Sequence, residues 1–201
     1  VSDTVRTWYA RGQNFVVAYS LAKAGAVFSR TGQPDEFMVL LPDPSSRANV
    51  TWEDETTAVA GHSVSFVPPG DNRIEMESGG VVVQFFTTAS ADMVAACPPG
   101  YDEDPNVPPL APWPMPAGGW KLRSYSMDIP PQEGRFGRIL RNTNFMVNYI
   151  YPRTGARDRR AMSPHSHTDF QQCSLILEGT YTHHMRWPWG NNADQWREDE
   201  H

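Results

Sequence analysis

The chain has 201 residues, a net charge of −6 at pH 7 and a pI near 5.5, an acidic balance that gives neither nucleic acid nor an anionic membrane surface an electrostatic hold on it. Its 18 prolines and 15 glycines interrupt the sequence too often for long helices, no window keeps a 3.6-residue apolar period, and no apolar run nears the ~20 residues of a membrane span. What remains is a mostly β protein, long enough for one large or two small domains, with a small molecule or a protein as its partner.

Residues 14–20, rich in aromatic and β-branched side chains, read as the first strand. A loop from Gly25 to Gly32 follows, then Asp35-Glu36 and the apolar run Phe37–Leu41, closed by a Pro42-Asp43 turn. Val50–Trp52 and Thr57–Val59 read as a polar hairpin. Alternation from Ser63 to Val67 predicts a half-buried strand, and Pro68-Pro69-Gly70 supplies the turn after it. Val81–Phe86 is the last strand before a change of composition at Cys97.

Eight of the 23 residues from Cys97 to Gly119 are proline, which fixes φ and removes donors, so this stretch is expected to be an extended linker on the surface. Cys97 and Cys173 are the only cysteines, one in this boundary and one in an apolar run. They imply no disulfide framework, a reducing compartment and a cytoplasmic location. Residues 120–128 alternate and open a second region. Residues 144–150 repeat the pattern of 14–20 at a distance of 130, with Arg141 standing where Arg11 stands. A longer loop then widens the offset to 136, so that Cys173–Leu177 answers Phe37–Leu41 and Gln172 answers Glu36. The division expected is 1–97, a linker at 98–119, and 120–201.

Five of the six histidines lie between His165 and His201. His165 and His167 stand two apart before the apolar run, and in extended chain residues i and i+2 share a face, so both imidazoles can reach one point. Converging neutral imidazoles outline a transition-metal site. Thr180–Trp187 reads as a strand with His183 and His184 on opposite faces. If His184 and Arg186 face the interior they serve as acid/base and anion clamp; if the other face does, His183 adds a ligand. Asp169 is either placed to orient a ligand imidazole or an exposed turn aspartate. His62 reads as an ordinary hydrogen-bonded or surface histidine.

The spacing His165-x-His167, four residues to Gln172 and six more to Gly179, resembles the first motif of the cupin superfamily, in which a Glu follows the two histidines. Gly61 to Gly70 is similar to the second motif, with Arg73 near the place of that motif's histidine. The resemblance implies an all-β fold of two tandem cupin-like (double-stranded β-helix, or jelly-roll) barrels. In the first copy Ser29, Thr31, Glu36 and Arg73 fall at the ligand positions, so that copy is expected to be degenerate and without metal. In the second copy His165, His167 and Gln172 fall there. No second motif follows Gly179. Either the sequence stops short of it or the strands are lacking, and a half barrel with unpaired edges favours the first.

The resemblance further implies a divalent transition metal, iron(II) ahead of manganese, nickel or zinc, and a mononuclear enzyme with dioxygenase chemistry on a small anionic organic molecule. The alternatives are a metal-dependent isomerase, hydrolase or lyase, and a non-catalytic ligand-binding or structural module. A homodimer is expected in each case.

Overall fold

The computed structural model describes residues 4–185 and 190–196. Its strands are β1 (Val5–Arg11), β2 (Phe15–Ala22), β3 (Val27–Gln33), β4 (Phe37–Leu41), β5 (Arg47–Trp52), β6 (Glu55–Ala60), β7 (Ser63–Val67), β8 (Gly70–Met76), β9 (Gly80–Thr87), β10 (Arg123–Ser126), β11 (Gly137–Arg141) and β12 (Met146–Ile150). One short helix, α1 (Ala91–Ala96), follows β9. A six-stranded sheet runs β1-β2-β9-β4-β7-β10, a four-stranded sheet runs β3-β8-β5-β6, and β11 and β12 form a separate hairpin. All pairings are antiparallel.

The two larger sheets close on each other over Val16, Phe37, Val39, Leu41, Val50, Ile74, Met76, Val82 and Phe86, all 2% exposed or less. Phe37 and Phe86 stack at 4.9 Å in the middle of this sandwich. The other face of the six-stranded sheet holds a second cluster, in which Val17, Met38, Leu40, Val64, Phe66 and Phe85 meet Leu140, Val147 and Tyr149 of the hairpin. The molecule therefore has three layers, with the six-stranded sheet in the middle. Burial of this sheet on both faces explains why β4 is an unbroken apolar run, since each of its five side chains has a core to enter.

The strands expected at Phe37–Leu41 and Ser63–Val67 form with those bounds. Ser63–Val67 is not half-buried, however. Val64 and Phe66 enter the second cluster, and the serines behind them are buried as well, Ser63 Oγ donating to the Ala60 carbonyl at 2.6 Å and Ser65 Oγ to Ser124 Oγ at 3.0 Å. The expected loop at Gly25–Gly32 is largely β3, and the Pro-Pro-Gly turn leads directly into β8. β8 alternates Asn72, Ile74 and Met76 inward with Asp71, Arg73 and Glu75 outward. Gly61 is required where it stands, because a Cβ there would lie 1.9 Å from the Asp43 carbonyl oxygen.

Two expected strands are absent among the described residues: Cys173–Leu177 and the described part of Thr180–Trp187 have no ladder. The reason is visible in the first half. There β4 lies between β9 and β7, and β3 lies against β8. Among the described residues after Gly179 no strand corresponds to β7, β8 or β9, and none lies beside these segments. β10, expected to open the second region, pairs with β7 and extends the first sheet.

One part of the internal repeat is met strand for strand. Arg11 faces Val16 and Thr7 faces Ser20 in the first hairpin, and Arg141 faces Met146 and Gly137 faces Ile150 in the second, so every pair of β11–β12 lies 130 positions from a pair of β1–β2. The turns match too: Gly12 N donates to Phe15 O, and Asn142 N to Phe145 O, each at 3.0 Å. The faces differ in burial. Val16, Ala18 and Ser20 are buried in the sandwich, whereas Met146, Asn148 and Ile150 are exposed together with Ile139 and Phe136. A hollow of about 180 Å³ opens on that outer face, lined by Gly134, Arg135, Phe136, Gly137, Ile139 and Asn148.

Candidate metal centre

His165 and His167 lie in an extended but unpaired segment, exposed, with ring centroids 5.2 Å apart. Ser163 turns its carbonyl back on His165, and Nδ1 lies 2.8 Å from that oxygen. A carbonyl can only accept, so Nδ1 carries the proton and Nε2 keeps its lone pair for a cation. This is the outer support that ligand histidines commonly have. His167 stacks on Phe170 at 4.0 Å, which fixes its ring plane. The two imidazoles are thus near neighbours, one of them with its Nδ1 proton committed to a carbonyl. Among the described residues no third His, Cys, Asp or Glu joins the pair.

Gln172 and Asp169 are both exposed. It is the neighbouring Gln171 that reaches the sandwich: its Oε1 accepts from Asn14 N at 2.9 Å, above Gly12, where a Cβ would crowd that oxygen at 3.0 Å. His183 stacks on Tyr181 at 5.4 Å, and half-buried His184 meets Trp196 edge-on at 5.1 Å. Arg186 and His201 lie outside the described residues. Trp196 is carried to His184 by a return of the chain, in which Met162 N donates to Asn191 O and Ala193 N to Arg159 O, with Asp194 paired to Arg159 and Arg160 at 3.2 Å each.

The residues aligned with ligands in the first half do not converge. Ser29 and Arg73 are cross-strand partners on the outer face of the four-stranded sheet, Thr31 is exposed, and Arg73 pairs with Glu75 at 3.0 Å. Phe28 and Arg30 point inward in their place, with Arg30 over the Phe86 ring at 4.8 Å. With an offset of 136 the positions answering His165 and His167 therefore lie on the outer face of β3.

Glu36 is fully buried and serves another end. Its Oε1 takes Arg123 at 2.6 Å, and its Oε2 takes the Thr143 N–H at 2.8 Å and the Thr143 hydroxyl at 2.9 Å. Asp35 beside it accepts from Thr87 Oγ1 at 2.5 Å and from Asn144 Nδ2 at 3.1 Å. Burial pushes the Asp35 carboxyl above its usual range, against the pull of these donors. Arg30 and Asp92 form a bidentate pair at 2.8 and 2.9 Å that holds α1 and keeps the Asp92 carboxyl below its usual range. His62, in the left-handed region at φ 51°, bonds Asp128 Oδ1 at 2.6 Å and Tyr149 Oη at 3.0 Å. Burial, helped by the nearby Asp128 and Glu178 charges, raises the Tyr149 hydroxyl.

Sequence reasoning passed over Gln171 and the role of Glu36. The usable signal was the strand period, since a carboxylate preceding a strand buried on both faces cannot lie inward together with Phe37.

No protein-family model and no curated protein matches the chain. Solved structures do. A cupin superfamily protein from Desulfitobacterium hafniense is 15% identical over 43% of this chain and 80% of its own, with a TM-score of 0.39. An RmlC-like cupin from Shewanella frigidimarina is 14% identical over 46% and 83%, with a TM-score of 0.40. A salicylate 1,2-dioxygenase from Pseudaminobacter salicylatoxidans is 11% identical over 47% of this chain but only 29% of its own, with a TM-score of 0.39. The two-sheet strand order of residues 4–90 is itself that of a jelly roll, an architecture that cupins share with viral capsid and lectin domains.

Proposed function

We propose that the chain belongs to a mononuclear metal-dependent enzyme that acts on a small anionic organic molecule by oxygen-dependent chemistry. The observation that carries this reading is the His165–His167 pair, with rings 5.2 Å apart and Nδ1 of His165 committed to the Ser163 carbonyl. His165 and His167 hold the ion, and the neutral Gln172 carbonyl is the third donor. A divalent ion so held, iron(II) first, supplies undiminished positive charge, positions open to substrate, and the electrons that dioxygen chemistry needs.

The chain's own residues do the rest. Phe170 keeps the His167 ring in plane and gives the site an apolar wall. His184, half-buried against Trp196, moves a proton at its ring, and Arg186 binds the substrate's anionic group. Elemental analysis of protein purified without chelator tests the reading. About one metal per chain, lost in the His165→Ala/His167→Ala double variant, is the expected result. A folded wild type without metal overturns it.

A further inference from the structure

We infer that the chain contains two repeats of one β unit docked face to face, and that Gln171 is the docking residue of the second repeat as Glu36 is of the first. The hairpins β1–β2 and β11–β12 have the same register and the same turn bond. They present the same face to each other, because Val17 and Tyr19 share the second cluster with their counterparts Val147 and Tyr149. Arg11 lies over the Tyr101 ring at 4.6 Å and its counterpart Arg141 over Trp113 at 3.8 Å, so the Pro-rich connection seals both turns in the same way.

Each repeat then inserts one side chain into the turn of the other. Glu36 accepts from the amide of Thr143 in the turn 142–145, and Gln171 accepts from the amide of Asn14 in the turn 12–15. The two contacts differ by one residue along the turn, since Thr143 is the counterpart of Gln13. Four residues after each inserted side chain, Leu40 and Leu175 enter the same cluster. In extended chain positions i and i+4 share a face, so Glu36 and Leu40, like Gln171 and Leu175, look toward the other repeat.

This sets the offset of the second half at 135, and the consequence for the site is direct. Gln172 answers Phe37, whose side chain fills the first sandwich, and His165 answers the inward Arg30 instead of the outward Ser29. Docking falls to Gln171, which leaves the exposed Gln172 outside that contact. The docking assignment stands by itself; the role of Gln172 rests on the metal reading.

Amide hydrogen exchange on the full chain tests the docking. Gln171→Ala removes the acceptor of the Asn14 amide, and its exchange should rise about tenfold, the equivalent of one ordinary hydrogen bond, while Thr143 is unchanged. Gln171→Glu, which restores the side chain of the first repeat, should keep Asn14 protected. Gln172→Ala should change neither amide. An Asn14 amide indifferent to Gln171→Ala, or released by Gln172→Ala, overturns the inference. Metal content of the same variants separates the two readings: a wild type without metal defeats the proposed function, while the amides still decide the docking.

Discussion

The hairpins β1–β2 and β11–β12 share a turn bond, a strand register and one buried face, yet Val16 is fully buried and its counterpart Met146 is 49% exposed. Local sequence is enough to set the turn and the register. The burial of the second face depends on strands brought from elsewhere: β9 beside β2, and the four-stranded sheet opposite. The same contrast holds one step further along. Phe37–Leu41 is a strand because β9 and β7 flank it, while Cys173–Leu177, with the same apolar character, has neither neighbour.

The largest test of this comparison is Phe37→Ala, which empties the centre of the closed sandwich and should lower the stability by about 3–5 kcal/mol in urea denaturation. Glu36→Ala comes next, at about 3 kcal/mol, because it leaves Arg123 and the buried Thr143 hydroxyl without their acceptor. The same measurement reads both, and a Glu36→Ala value near zero would mean that the docked contact is dispensable. Tyr149→Phe removes the hydroxyl that meets His62 and should cost about 1 kcal/mol.

The Arg30–Asp92 pair gives a pH test. The Asp92 carboxyl lies below its ordinary 3.8 in the folded protein, so its contribution is present above that value and is lost as the pH falls through the lowered one. The stability difference between wild type and Asp92→Asn should be under about 1 kcal/mol at pH 7, since Asp92 is exposed and screened, and should vanish at strongly acid pH. The smallest effect is expected on the outer face of the second hairpin, where Met146→Thr should stay within about 0.5 kcal/mol. A larger loss there would show that this face is covered in solution.

The sequence was most legible where a strand is fixed by its own pattern. Phe37–Leu41 and Ser63–Val67 were bounded correctly because apolar runs and a Pro-Pro-Gly turn mark them. β3 and β8 were harder to see. Gly32 and a register shift between Arg30 and Gln33 interrupt the first, and β8 alternates charged with apolar side chains directly after a turn. The repeat was legible at its hairpins, where no insertion intervenes. Beyond the hairpins the alignment crosses the loop before Ser163, where an offset of 136 sets Ser29 against His165 and one of 135 sets Arg30 there. The His165–His167 pair is visible as a spacing in the sequence, but the contact of Gln171 depends on a turn 157 residues away.

The pairing of β10 with β7 bears on how the protein is made. Arg123 to Ser126 bond to Phe66 to Ser63, so the middle sheet lacks its last strand until nearly sixty further residues have left the ribosome. Over that interval β7 is an open edge beside an apolar surface that includes Val64 and Phe66. Contacts so distant in sequence close slowly, and the nascent chain passes through a stage in which this edge is finished but not yet capped.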